Sequence, residues 1–519
     1  MSVKISQLPV ATSPTGAELL PIVQGGVTKE TSIAALGTGV SYTPASGGLP
    51  TTMFTKLSQY ISVFDYLTTA QIANVIANTP DDLTTPIQTA INTISNTGGG
   101  IIYFPTGTYK GNWTIKSYVI LQGAGINSTT FKPAINDHVF KTAMAAVTSR
   151  SYFSDLQIIG NVSFTTSDGI HMETSGALNY VDDIGFTRVM IQQCCYGLYA
   201  FGTSSGGPFV QAVHVNSSNI VNNKTANVYY KGCVLETSFH ACALGGVTDT
   251  TQDVAEVNLL EETSSYTRPY RTSFSSCIFG TVLSSAYAVR SVYITGCNTA
   301  EFYCCDFEFS PCFIYTAGTN EIGSLGIRSC YFEPPVGATE AIYLSLARGP
   351  TDISNNWFNA HATLAHAIFL LGGSNGANYC SVKNNRLSGN ISKEVEWGAY
   401  YQGTIGNGAN GATSGAIVRQ SEFIEVIPVT GATGTLSRIV SPESNNTTNI
   451  VAFEYGAIVT VAPAGSKIIT VHSDYYGGDG SIVLSGNSDF VMDFTTYPKT
   501  LTLRFHPQLK KWLEIGRMA

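Results

Sequence analysis

The sequence predicts an all-β chain whose long middle part is a right-handed parallel β-helix, and three observations carry that prediction. Charged residues make up 12% of the 519, hydrophobics 44%, and glycines number 51. So low a charge excludes a disordered polyelectrolyte and a coiled coil, whose compositions are charge-rich. From residue 101 onward, short apolar and β-branched runs alternate with Gly, Asn and Ser turns, the pattern of strands. The third observation is a repeat. GIRSCYFEP (326–334), DISNNWFNA (352–360) and SVKNNRLSG (381–389) share one frame, and YKGCVLET (230–237), FSSCIFGT (274–281) and YCCDFEFS (303–310) fit it more loosely.

Aligning Cys233, Cys277, Cys305, Cys330, Asn356 and Asn385 gives steps of 44, 28, 25, 26 and 29 residues, so a coil is about 25–29 residues and the first step hides an extra coil or a long loop. A coil of that length cannot bury its inner face alone, so coils stack and like residues form ladders. Stacked Asn at a turn satisfy one another's amides, and stacked Cys fill space.

Taken in chain order, residues 1–40 form a small Pro-, Gly- and Thr-rich unit whose one concentrated apolar stretch is Ala17 to Val23, followed by Gly25-Gly26. Residues 41–60 read as a linker. A single helix is expected over 85–97, with Thr85 as N-cap, Pro86 at the first helical position and Ile87, Ala90, Ile91 and Ile94 on one face. It would cap the first coil, where an open edge invites aggregation. Strands follow at 101–104, 113–115 and 118–123, and the β-helix extends to about residue 405. The run Glu256 to Arg271 reads as a loop inserted between coils, and Trp397 with Tyr400-Tyr401 as a lid on the last one. A Gly/Asn/Ala linker at 406–416 precedes residues 417–519, where strands at 423–429, 457–462, 467–473, 481–486, 489–494 and 501–506 have the spacing of a compact β-sandwich.

Composition and motifs narrow the function classes. A net charge of -8 is the wrong sign for a surface that neutralises phosphates, so nucleic acid is not an expected partner. No apolar run approaches the ~20 residues of a spanning helix, and the N-terminus lacks the pattern of a secretory signal, so neither membrane insertion nor export is expected. Eleven cysteines occur with no C-x-x-C among them, and they read as small buried hydrophobes. The eight histidines show no H-E-x-x-H or other local metal spacing. No metal and no cofactor is therefore expected. G-x-S-x-G at 202–206 and 372–376 lacks the strand–turn–helix of a nucleophile elbow, and G-x-G-x-x-G at 406–411 has no helix after it.

Glycoside hydrolysis needs two carboxylates in different protonation states. Three residues after the aligned Cys or Asn stand Glu236, Gly280, Glu308, Glu333, Asn359 and Ser388. Glu308 and Glu333 then share a column on consecutive coils, roughly 5 Å apart, the separation of a retaining pair. Glu236 and Glu308, one coil further apart, come nearer the inverting range. Asp306 points to the same face as Glu308, and Arg328 adds a cation to the cluster. Alternation sends Phe332 inward with Phe307 and Phe358 and leaves Tyr331 and Trp357 outward, where rings can contact sugar. The candidate catalytic residues are therefore Glu308, Glu333, Asp306 and Glu236, and the candidate substrate-binding residues are Trp357, Tyr331 and Arg328.

Three separated segments resemble bacteriophage tailspike proteins, many of which are polysaccharide depolymerases with a pectate-lyase-like β-helix. Residues 4–33 (KISQLPVATSPTGAELLPIVQGGVTKETSI) look like the head segment that attaches such spikes to the virion. SVFDYLT (62–68), TPIQTAIN (85–92) and GGGIIYFPTGTYK (98–110) look like the entry to the spike β-helix. Residues 480–517 are similar to the C-terminal domains of phage fibres and spikes. The resemblance implies a homotrimer on the virion tail, joined to a phage tail or baseplate protein through its N-terminal segment and directed at a capsular or lipopolysaccharide glycan of a bacterial host. It supplies no catalytic residues. The expected activity is hydrolysis by a carboxylate pair, with a non-catalytic receptor-binding spike or a polysaccharide lyase as the alternatives.

Overall fold

In the computed structural model of the chain, the described residues are 60–397, without 177, 204–207, 250–253, 263–266, 281–288, 318–321, 346–349 and 371–379, together with individual strands on either side of that block. Strands from Tyr60–Ser62 to Arg386–Trp397 join one hydrogen-bonded network in which neighbours run parallel. Each coil gives one strand to each of three sheets, here called A, B and C. One coil places Phe209–Asn216 in sheet A, Asn219–Val221 in B and Ala226–Gly232 in C; the next places Val234–His240, Ala243–Gly245 and Val254–Leu260 above them. Stacking these coils makes a right-handed parallel β-helix.

The corner between sheets A and B fixes the register. At each turn one residue adopts a left-handed conformation: Asp155, Arg188, Ser217, Ala241, Ser276, Cys304, Ser329, Asn355 and Asn384, with φ between 47° and 58°. The residue after it turns inward and forms the aligned column, which runs Ser218, Cys242, Cys277, Cys305, Cys330, Asn356, Asn385. Asn356 Oδ1 accepts from the Cys330 backbone N–H at 2.9 Å, and its amide nitrogen donates to Ile327 O at 3.0 Å and to Asn385 Oδ1 at 3.1 Å. Asparagines here satisfy the backbone of the coil before them as well as each other. The cysteines fill space: eight of the ten described are buried and all ten are free. Burial pushes the Cys297 thiol up to about 12, far from a reactive thiolate.

One member of the expected column is displaced. Cys242, not Cys233, lies opposite Cys277, since Ala243 pairs with Ile278. Cys233 sits nine positions earlier, just before the sheet A strand Val234–His240. The expected inserted loop is likewise corrected: Val254–Leu260 is a sheet C strand, and Glu256 within it is 0% exposed. Its Oε1 accepts the Gly246 N–H at 3.0 Å, its Oε2 has no partner among the described residues, and burial pushes its carboxyl well above the usual range.

Inward positions form continuous ladders. In sheet B, Phe279, Phe307, Phe332 and Phe358 stack with ring centroids 4.5, 4.8 and 4.8 Å apart, all 0% exposed. The expected inward set is borne out. Two helices cap the first coil where one was expected. Helix α1, Thr69–Ile76, has a capping box in which Thr68 and Gln71 each bond the other's backbone N–H, a T-x-x-Q signal present in the sequence. Helix α2, Thr84–Asn96, buries Ile87, Ala90, Ile91 and Ile94. It begins one residue earlier than expected and Thr85 is not its cap; Asp82 Oδ1 accepts the Thr84 N–H at 2.9 Å instead.

Outside the coils, Leu19–Gln24 and Val27–Ser32 pair antiparallel, and strands are found at each of the six C-terminal positions expected. Pairing there is mixed: Phe423–Pro428 runs parallel to Ile458–Pro463, which runs antiparallel to Thr500–His506. Tyr400 and Tyr401 of the expected lid, and most of both expected linkers, lie outside the described residues. Among the described residues, no helix is long and apolar enough to cross a membrane.

Two stability outcomes follow from these positions. Ala241, exposed at φ 51°, carries a Cβ that this conformation disfavours, so Ala241→Gly is expected to stabilise the fold by up to about 1 kcal/mol, while Asn356→Leu, which strands a buried N–H and a buried C=O, is expected to cost about 2–5 kcal/mol; thermal unfolding rates read both. Glu256 folds with its carboxyl raised, so its cost is absent below the free-carboxyl value of about 4.3 and grows by about 1.4 kcal/mol per pH unit above it, up to the folded-state value. Glu256→Gln is expected to raise resistance to thermal unfolding at pH 8 and to change it little at pH 4; equal pH dependence in variant and wild type would clear the buried carboxyl of any role.

Candidate active site

The carboxylates Asp306, Glu308 and Glu333 come from two adjacent sheet B strands, Asp306–Glu308 and Tyr331–Glu333. A three-residue strand between two corners places its first and third residues outward and its middle residue inward, and the buried Phe307 and Phe332 confirm the phase. Asp306 lies opposite Tyr331, and Glu308 opposite Glu333. Extending the register gives two outward columns: Ile278, Asp306, Tyr331, Trp357, Arg386 and, beside it, Gly280, Glu308, Glu333, Asn359, Ser388. Glycine at 280 leaves open space where a Cβ would stand, so no side chain from the preceding coil covers Glu308 on that side.

Asp306 is the perturbed group. Its Oδ1 is buried without a hydrogen-bond partner among the described residues, and burial, reinforced by the charges of Glu308 and Glu333, pushes its carboxyl up to about 6. A carboxyl that is protonated near neutral pH beside carboxylates is the division of roles that acid catalysis uses. Glu333 is held by the His361 imidazole and by the Tyr331 hydroxyl, which donates at 3.4 Å. A chain of hydrogen bonds continues from there. Asn359 donates to Tyr331 OH at 2.9 Å, Ser388 donates to Asn359 Oδ1 at 2.7 Å, and the Trp357 indole donates to Ser388 Oγ at 2.8 Å. Neighbouring coils thereby lock the rings in place.

Tyr331 and Trp357 face outward as expected, in edge contact at 5.1 Å. Trp357 is 39% exposed, and the Arg386 guanidinium lies 4.8 Å from its ring on the following coil. With Tyr331 on one side and Arg386 on the other, the indole offers its edge, and Arg386 joins the wall as a cation that the sequence did not single out. His361 was also missed; it lies in the strand Trp357–Leu370 two residues beyond Asn359, on the same outward phase.

Two candidates fall elsewhere. Arg328 lies on sheet A, across the Cys330 corner from the acids, where it donates to Asp352 at 2.8 Å and stands 3.7 Å from Glu301. Glu236 also lies on sheet A, at a left-handed bulge of φ 51° that recurs as Arg150, Asp183, Ala212 and Arg271 in the coils around it, and its carboxylate pairs with Arg271 at 3.3 Å. Counting from Cys233 put it in the Glu308 column; the register puts Gly245 there.

A second polar cluster, unseen in the sequence, lies on sheet C near the N-terminal end of the stack. His138, Asp168 and His171 converge, with both ring Nδ1 atoms on Asp168 Oδ2 at 3.0 and 2.7 Å. From His171 an outward aromatic ladder climbs the sheet: Tyr199 at 4.4 Å and Tyr229 at 5.2 Å, with a further set of Tyr293, Tyr315, Tyr343 and Phe369 above. These rings stack face on face, which leaves their edges to solvent.

No protein-family model and no curated protein matches this sequence. Among solved structures, the chain shares its fold with the tailspike protein of E. coli bacteriophage HK620, in a double-mutant form, at 12% identity and a TM-score of 0.51, over 90% of this chain and 96% of that one. It is also similar to tailspike protein gp49 of the Acinetobacter baumannii bacteriophage Fri1, a capsular polysaccharide depolymerase, at 14% identity and a TM-score of 0.46, over 64% of this chain and 63% of that one. The A-module of an Azotobacter vinelandii mannuronan C-5 epimerase matches at 15% identity and a TM-score of 0.39, over 65% and 97%. The neighbours include phage tailspikes and glycan-acting enzymes, and at these identities what is shared is the parallel β-helix.

Proposed function

We propose that this chain is a phage tailspike that binds and hydrolyses a bacterial surface polysaccharide, capsule or O-antigen, with Asp306 as general acid. The observation that carries the reading is the Asp306 carboxyl, pushed up to about 6 with Oδ1 buried and unpartnered beside Glu308 and Glu333. Asp306 gives its proton to the glycosidic oxygen as the bond to the anomeric carbon breaks. Glu308 acts as the ionised partner, taking a proton from the attacking water or adding to the anomeric carbon itself. Glu333, fixed by His361 and Tyr331, keeps the Asp306 proton in place. Tyr331, Trp357, Asn359 and Arg386 line the adjacent wall and orient the sugar. Support from outside the site is the fold shared with the HK620 tailspike and the spike-like N-terminal segment. On this reading the protein is a homotrimer on the virion tail, attached to a tail or baseplate protein through residues 1–40, and it acts at the host surface.

Incubation with capsule and lipopolysaccharide from a panel of hosts, followed by mass spectrometry, is expected to show oligosaccharides of one repeat length. Asp306→Asn and Glu308→Gln are expected to lower the rate by at least about 10²-fold, the scale of a lost general acid or base, with the assembly unchanged. Products carrying an unsaturated uronate would instead identify a lyase, and full-length glycan bound without cleavage would identify an adhesin; either result overturns the hydrolytic reading.

The pH profile is a separate test. An acid with its carboxyl at about 6 is active in the protonated form, so kcat/KM is expected to fall as pH rises through that value. Glu333→Gln removes one of the two charges that hold the proton and is expected to move the falling limb to lower pH. A profile flat between pH 5 and 8 would exclude Asp306 as the acid.

A further inference from the structure

We infer that His138, Asp168 and His171 form a binding site for a divalent late transition metal ion, with Glu173 as the outer partner that orients His171. The argument starts from how the coils bring the residues together. His138 stands two residues before the sheet C strand Phe140–Lys141, Asp168 and His171 flank the start of Ile170–Glu173 on the next coil, and Phe140 pairs with Ile170. Residues thirty positions apart in sequence thus become neighbours along the axis.

The donor atoms meet at one point. Both Nδ1 atoms lie within 3.0 Å of Asp168 Oδ2, and the three donor atoms all lie within 4.8 Å of one another. Asp168 is fixed from behind: its side chain is 4% exposed and its Oδ1 accepts the Tyr196 N–H at 3.2 Å. The imidazoles are held face to face at 3.8 Å, and Tyr199 covers the outer face of His171 at 4.4 Å. None of the three can rotate away without breaking a stack or a buried bond.

Hydrogen-bond accounting points to a cation. His171 has a carboxylate oxygen at each ring nitrogen, Glu173 Oε2 2.9 Å from Nε2 and Asp168 Oδ2 2.7 Å from Nδ1; a carboxylate only accepts, so each contact calls for positive charge at the ring, a proton or a metal ion. The Asp168 backbone N–H donates toward His138 Nδ1 at 3.3 Å, so that atom offers a lone pair beside the same carboxylate. A metal ion in place of the His171 Nδ1 proton accepts from both rings and from Asp168 Oδ2. Two nitrogens and one oxygen suit Zn²⁺, Co²⁺ or Ni²⁺ rather than Mg²⁺ or Ca²⁺. Glu173 on the far nitrogen of His171 is the carboxylate–histidine–metal arrangement that fixes the ring tautomer in metal sites. With ligand bonds of about 2.0–2.1 Å, the donors of a tetrahedral site stand about 3.3 Å apart; the two nitrogen–oxygen spacings of 3.0 and 2.7 Å lie just below that, and all donor spacings stay within 4.8 Å. Side-chain exposures of 20% for His138 and 14% for His171 leave the fourth position open to water or to a ligand oxygen. Bound there, the ion would staple two successive coils.

The test uses the full-length, untagged protein, stripped with a chelator and titrated with Co²⁺ and then Zn²⁺. One Co²⁺ per chain with visible d–d bands, displaced by Zn²⁺, together with a higher melting temperature in Zn²⁺, is the expected result. His138→Ala and Asp168→Ala are expected to weaken Zn²⁺ at least about 100-fold, and Glu173→Gln by about 10-fold, the range for second-sphere partners. His138→Gln, which keeps a polar group at the site, serves if Asp168→Ala fails to fold. Binding that does not saturate at one per chain, or that His138→Gln and Glu173→Gln leave unchanged, would overturn the assignment and leave a proton-bridged structural cluster.

Discussion

The left-handed residue at the A–B corner is the constraint on which the molecule depends. Nine coils spend a disfavoured backbone conformation at the same place, and each turns the chain sharply so that the next residue points into the core. In the first two of these corners the inward residue is an aliphatic, Leu156 or Val189; from Ser218 onward it is a small or amide residue, the cysteines filling space and the asparagines bonding the backbone of their neighbours. The phase so fixed sends Phe307 and Phe332 inward and Asp306, Glu308, Tyr331 and Glu333 outward. A corner shifted by one residue would bury three carboxylates and expose the phenylalanine stack.

The candidate site is therefore a consequence of stacking as much as of local sequence. Burial raises the Asp306 carboxyl first, Glu308 on its own strand adds to that, and the next coil, one strand spacing away, adds Glu333. Tyr331, Asn359, Ser388 and Trp357 are joined across three coils in one hydrogen-bonded chain, so the wall beside the acids is stiff. Among the described residues, Arg386 brings a cation to that wall and His361 an imidazole that holds Glu333.

Much of this was legible because the coil repeat is written in side chains that the corner restricts. The column from Cys277 to Asn385 and the opposition of Glu308 to Glu333 could be read directly from spacing. The reading failed where the repeat was interrupted. Between Cys242 and Cys277 the coil is 35 residues long, and Cys233 lay near enough to the wrong spacing to be taken into the column, carrying Glu236 with it. Arg328 was misplaced for a different reason: sequence distance to Tyr331 is short, but a corner separates them and turns them onto different sheets. The His138–Asp168–His171 cluster has no local motif, since its ligands come from consecutive coils; only the period of about thirty residues, applied to histidine and aspartate as it was to cysteine, would have found it. Helix α1 was passed over although Thr68 and Gln71 spelled its cap.

The position of the two capping helices has a consequence for how the chain is made. Apart from the short strand Tyr60–Ser62 they precede the coils in sequence, and each coil bonds mainly to the one before it and the one after it. A ribosome therefore delivers the plug first and then one layer at a time onto a finished template. Assembly can keep pace with translation, and an emerging layer needs no partner still waiting to be synthesised.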